Sequence, residues 1–155
     1  MSERGFNAIA VAIDGSRLSE AALHLAIKLA RQLDTRLSLI TVMDRQVEDR
    51  FEEYCRTERV PLDEAVRRYQ HQWIDTLREQ DLPSAGHVVE PRHNSTSQTI
   101  MEVADHVAAA LLVVGTHGRG GIKRVLGSTT QALVDSGTIP VLVARPQRSE
   151  DFAEL

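Results

Sequence analysis

Five short apolar runs, separated by segments whose apolar residues return at helical spacing, constrain this chain more than any other feature. The runs are AIAVAI (8–13), LSLITV (37–42), AGHVVE (85–90), ALLVV (110–114) and PVLVA (140–144). Brief apolar runs rich in β-branched residues and bounded by turn formers read as buried strands. After the first, Leu18, Ala21, Ala22, Leu25, Ala26, Leu29, Ala30 and Leu33 form a helical stripe. Ser16 is placed to cap that helix, and Glu20 suits its positive first turn. Arg45 to Arg59 carries Val47, Phe51, Tyr54 and Cys55 at roughly helical intervals and reads as a short peripheral helix or an ordered excursion. Pro61 opens a stronger helix with Leu62, Val66, Tyr69, Trp73 and Leu77 on one face. Ser95 and Gln98 have capping-box spacing ahead of Ile100, Val103, Ala104 and Val107. A last helix starts near Ser128, turns Ala132, Leu133 and Val134 inward, and ends at Ser136-Gly137.

Strands alternating with helices imply right-handed crossovers and a parallel sheet covered on both faces, an α/β fold. Ligands of such sheets bind beyond the carboxyl ends of the strands, where strand order reverses. Those ends read Asp14-Gly15, Val42-Met43, Glu90 and Gly115-Thr116-His117-Gly118. Residues 1–146 are expected to form a single domain, and 147–155 a flexible tail.

Composition narrows the partners. The net charge of −4 offers nucleic acid no general attraction, and no run is long enough to span a bilayer. One cysteine, Cys55, precludes an internal disulfide, and the MSERGFN start lacks an apolar signal core, so a cytoplasmic location is expected. The residues Arg119, Lys123 and Arg124 still gather enough local charge for a small anion.

Beyond the fourth strand, Gly115 and Gly118 are expected to allow positive φ and close approach of a ligand to backbone amides. Gly127, Ser128, Thr129 and Thr130 then open a helix whose unpaired N–H groups and hydroxyls suit phosphate. No Walker A string occurs, and the first strand is followed by DGSRLSEA rather than a dinucleotide fingerprint. Asp14 has two readings: a turn residue accepting from nearby amides, or a carboxylate for ribose hydroxyls or Mg²⁺. Trp73 and Tyr69 read as core, Cys55 as inert, and His24, His71, His87, His93 and His106 lack ligand spacing.

Four segments in this order, AVAIDGS (10–16), VVGTHGRGG (113–121), GSTTQALV (127–134) and PVLVAR (140–145), resemble the ATP-binding branch of the universal stress protein family. The resemblance spans residues 7 to 145. It implies strand order 3-2-1-4-5 in an adenine nucleotide alpha hydrolase-like fold, with homodimers paired through the fifth strand, Pro140 to Ala144. It also implies an adenine nucleotide, ATP with Mg²⁺, as ligand. By motif position, Ala12, Ile13 and Asp14 would flank base and ribose, and Val42 would meet adenine through its backbone. Val114, Gly115, His117, Gly118 and Arg119 would line ribose and phosphates, and Gly127, Ser128 and Thr129 would bind phosphate. The chain departs from the family pattern twice: eight residues, Arg119 to Leu126, separate Gly118 from Gly127, one fewer than usual, and RHNSTS replaces a Gly-x-Pro-Ala before the helix that leads into the fourth strand.

The function expected is a nucleotide-binding stress regulator or sensor acting on an unidentified protein, with at most slow ATP hydrolysis. The alternative is a dimeric adaptor of the same family that binds no nucleotide. A receiver module would need an acidic pair, a second Asp and a Lys at three strand ends, and an adenylating enzyme a Ser-Gly-Gly-x-Asp-Ser loop; neither set is present.

Overall fold

In the computed structural model, which describes residues 6–116 and 126–145, the five runs form one parallel sheet. The strands are β1 (Ala8–Ala12), β2 (Arg36–Val42), β3 (Ser84–Val89), β4 (Leu111–Gly115) and β5 (Val141–Ala144). Their order across the sheet is β3-β2-β1-β4-β5, as the family resemblance implies. Order reverses beside β1, which pairs with β2 on one side (Ala12 opposite Ile40) and with β4 on the other (Val11 opposite Val113).

Period-two alternation sorts the two faces. Ile9, Val11, Ile13, Leu37, Leu39 and Val113 point to one side, where α1 (Arg17–Gln32) and α3 (Leu62–Glu79) cover them. Ala10, Ile40, Val42, Leu112 and Val114 point to the other, beneath α4 (Thr96–His106) and α5 (Ser128–Ser136).

The helices obey their sequence signals with four corrections. The buried face of α1 runs through Ser19, Ala22, Leu23, Ala26, Ile27 and Ala30, while Leu33 is exposed. The expected stripe therefore holds at Ala22, Ala26 and Ala30, with Leu25 and Leu29 packed at its edge, and widens to include Leu23 and Ile27; the three alanines let α1 sit close on β1 and β4. The segment after β2 is a regular helix of fourteen residues, α2 (Arg45–Glu58). Asp44 caps its start and Arg59, in the left-handed region at φ 56°, ends it. In α5 Leu133 is buried but Val134 is exposed, since residues 100° apart on a helix cannot all face one way. The Ser95 hydroxyl accepts from the Gln98 amide at 3.2 Å, but the reciprocal half of the box is replaced by Ser95 N–H donating to the Arg92 carbonyl at 3.0 Å.

Candidate functional site

A crevice open to solvent lies at the carboxyl ends of β1, β2 and β4. Ala12, Ile13, Asp14, Val42, Val114, Gly115, Gly127, Ser128 and Thr129, all singled out in the sequence, line it together. His117, Gly118 and Arg119 lie outside the described residues, as does the expected tail. Ala12 on the α4/α5 face matters by its size: a methyl group at the sheet's centre leaves the hollow that Ile40, Val42, Ile100 and Leu133 surround.

Each wall has a local cause. At the end of β1, Gly15 adopts φ 83°, and the Asp14 carboxylate closes the turn by accepting from the Ser16 amide at 2.8 Å. The turn reading of Asp14 is thus realised. Its other oxygen is 4.0 Å from the Arg50 guanidinium, which reaches over from α2. A side chain at position 15 would meet Arg50 and the Phe51 ring at 3.1 Å, so α2 is packed directly onto this turn. Phe51 in turn stands edge-on to Tyr69 of α3. The Tyr69 hydroxyl donates to Glu20 at 3.0 Å, and burial, with the Glu20 charge added, drives its pKa far above that of an ordinary phenol. It therefore stays a donor and ties α3 to α1 behind the crevice.

Gly115 is needed for a reason other than the one expected. Its φ is not positive; a Cβ there would lie 2.7 Å from the Leu18 carbonyl oxygen. The close approach is to the protein's own first helix. The Gly115 carbonyl accepts from the Thr130 hydroxyl at 2.8 Å, and the Gly127 amide donates to the Thr116 carbonyl at 3.0 Å. These two bonds pin the start of α5 beside the end of β4.

The helix ends differ in how their free amides are met. Ser16, Asp44 and Ser95 cap α1, α2 and α4 with side-chain oxygens. Gly127 leads α5 with no side-chain cap among the described residues, and Ser128 and Thr129 follow it along the crevice wall. An uncapped helix start presents N–H groups and partial positive charge. Asp14, just after β1, and Asp44, just after β2, are the charged side chains among the described lining residues. The crevice is therefore polarised, with donors at the α5 end and acceptors at the ends of β1 and β2.

Sequence reasoning missed Asp44, Gln46, Thr96 and Thr116, which also line the crevice. Asp44 uses Oδ1 to accept from the Val47 amide at 3.0 Å and Oδ2 to accept from the Thr96 hydroxyl at 2.8 Å. A capping Asp was legible ahead of a helical period. Its bond to a residue fifty-two positions on was not.

A family model described as the universal stress protein family matches residues 5–145. The chain belongs to the universal stress protein family. A universal stress protein relative from Staphylococcus saprophyticus is 26% identical over 152 residues, covering 95% of this chain and 89% of its own. A solved universal stress family protein from Burkholderia pseudomallei is 26% identical, with a TM-score of 0.60 over 90% of this chain and 96% of that one. Two more distant universal stress proteins share the fold, each with a TM-score of 0.60. One was solved with cAMP (22% identical, covering 91% of this chain and 98% of that one). The other, from Archaeoglobus fulgidus, was solved with dAMP (19% identical, covering 90% and 98%). No described helix of this universal stress protein is long and apolar enough to cross a membrane.

Proposed function

We propose that this universal stress protein binds an adenine nucleotide, ATP in the first instance, and acts as a stress-response regulator whose bound state is read by another protein. The observation that carries the reading is the start of α5, capped by no described side chain, opening into a crevice at the strand-order reversal. Phosphates would take the amides and hydroxyls of Ser128 and Thr129, away from the repelling carboxylates of Asp14 and Asp44. The sugar would cross β1 over Ala12, and the base would lie on the apolar floor near Val42. The complexes of family members with cAMP and dAMP support an adenine nucleotide as the ligand class.

The residues described do not form a cage for Mg²⁺. Asp14 is committed to the Ser16 amide and faces Arg50, and among the described residues no group of three His, Cys, Asp or Glu side chains could hold a metal. A Mg²⁺ accompanying ATP would be carried by the phosphates. Chemistry is expected to be at most slow hydrolysis. A homodimer through β5 is also part of the proposal: β5 is an edge strand, with Val141, Leu142 and Val143 half-buried, and pairing with its copy would cover that edge.

The test is a charge placed where the phosphates should sit. Ser128→Glu puts a carboxylate in the first turn of α5, which favours the helix by about 0.3–1 kcal/mol. The unliganded variant should melt at or slightly above the wild-type temperature, while the upward shift given by ATP disappears. If wild type shows no ATP shift and carries no co-purified adenine nucleotide by mass spectrometry, the dimeric adaptor reading replaces this one.

A further inference from the structure

At the β2 end of the crevice the chain has built an acceptor from parts of three elements. Asp44 leaves β2, caps α2 through Oδ1, and receives the Thr96 hydroxyl of α4 on Oδ2. Both bonds fix the carboxylate without exhausting it, since each oxygen offers two lone pairs and spends one. The group is half-buried, lines the crevice, and stands beside the apolar surface of Val42, Val47 and Ile100. β2 and β4 flank β1, so this acceptor stands about 10 Å across the sheet from the strand that leads to α5.

We infer that Asp44, held by Thr96, is the residue that reads an amino group on the ligand's base and so determines which bases the crevice prefers. This rests on the proposed function for the placement of the phosphates. A ligand anchored by its anionic end at α5 must present its neutral end to Asp44. A carboxylate there accepts from an N–H and repels a ring nitrogen or carbonyl that offers only lone pairs. A hydrogen bond to an ionised group in a partly dry site is worth considerably more than a neutral one. A base whose facing edge lacks an N–H donor would leave the carboxylate desolvated without recompense. Thr96 is a positioning residue: its hydroxyl donates to Asp44, which stops the carboxylate from swinging out to water.

The experiment compares AMP with purine riboside 5′-monophosphate, which differs only in lacking the 6-amino group. Calorimetry on the wild type should give AMP the advantage by about tenfold or more. Asp44→Asn keeps a good α2 cap and nearly the same shape. It should reduce that ratio toward one by weakening AMP, leaving the affinity for the deamino analogue nearly unchanged. Thr96→Val should reduce the ratio partially, a result that a merely structural role would not give, since loss of fold weakens both ligands alike. A wild-type ratio near one, or a ratio unchanged in Asp44→Asn, overturns the inference while leaving nucleotide binding intact. A wild type that binds neither AMP nor ATP overturns the proposed function and this inference with it.

Discussion

Replacing Gly115 by alanine tests whether the end of β4 is held by the protein or kept open for a ligand. The added Cβ would stand 2.7 Å from the Leu18 carbonyl oxygen and 3.0 Å from its carbon. Ordinary contact begins near 3.4 Å, so backbone must separate by several tenths of an ångström. Neither partner yields easily. The first turn of α1 is locked by the Ser16 cap, with Ser19 donating from both its amide and its hydroxyl to Ser16, and the helix is anchored by Ala22, Leu23 and Ala26, all fully buried. Overpacking against a fixed wall costs about 1–3 kcal/mol. The alanine recovers about 0.4–1 kcal/mol by restricting the unfolded chain. The difference is a net loss of about 0–2.6 kcal/mol, centred near 1.3, and the central value lowers Tm by roughly 3–5 °C for a domain of this size. Thermal melting followed by circular dichroism reads this directly. Because Gly115 also accepts the Thr130 hydroxyl, the displacement should disturb the α5 start and weaken ATP as well. A variant melting above wild type would refute the reasoning, because it would mean that the α1–β4 contact is soft and the added Cβ costs nothing.

Three other outcomes follow from the same kind of geometry. A Cβ at Gly86 would fall 2.4 Å from Gln70 Oε1 and 2.7 Å from Ile74 Cδ1. Gln70 is buried and bonded to the Thr41 hydroxyl and the His87 carbonyl, so Gly86→Ala should lose about 1–3 kcal/mol in urea melts; a neutral result would mean that the amide can leave those bonds freely. Burial, and secondarily the nearby His106, hold the His87 imidazole below its ordinary value of 6.5. The unfolded chain then binds the extra proton first, so the stability tied to neutral His87 is full above pH 6.5 and is lost as pH falls through that value toward the folded one. His87→Gln should flatten the acid side of the stability profile, and an unchanged slope between pH 7 and 5 would count against it. Finally, Leu142→Lys on β5 should shift the sedimentation profile from dimer to monomer without unfolding the sheet, and a wild type that already sediments as a monomer refutes the edge pairing.

Much of the architecture was legible because it depends on near-neighbour chemistry. Apolar runs such as AIAVAI cannot be exposed, their β-branched content suits extended backbone, and Ser16 caps the next helix through an oxygen three residues from the amide it serves. The crevice floor was legible for a topological reason: a parallel sheet brings all its strand ends to one edge, and Asp14, Val42 and Gly115 are those ends.

Contacts between elements distant in sequence were not legible. The width of the α1 seam was not legible, because Leu33, which is exposed, satisfies helical spacing as well as the buried Leu23 and Ile27 do; only packing against the sheet decides which side is buried. Gly115 signalled close approach, but local sequence cannot say whether a ligand or the Leu18 carbonyl does the approaching. Nor could it pair Asp44 with Thr96 across the crevice, since that bond exists only once α4 has crossed back over β2. By itself, then, the sequence determined the elements, their alternation and the edge where a site must lie, because each follows from spacing along the chain. The tertiary structure alone decided which groups confront one another across that edge, because a distance through space is set by packing and not by position in the chain.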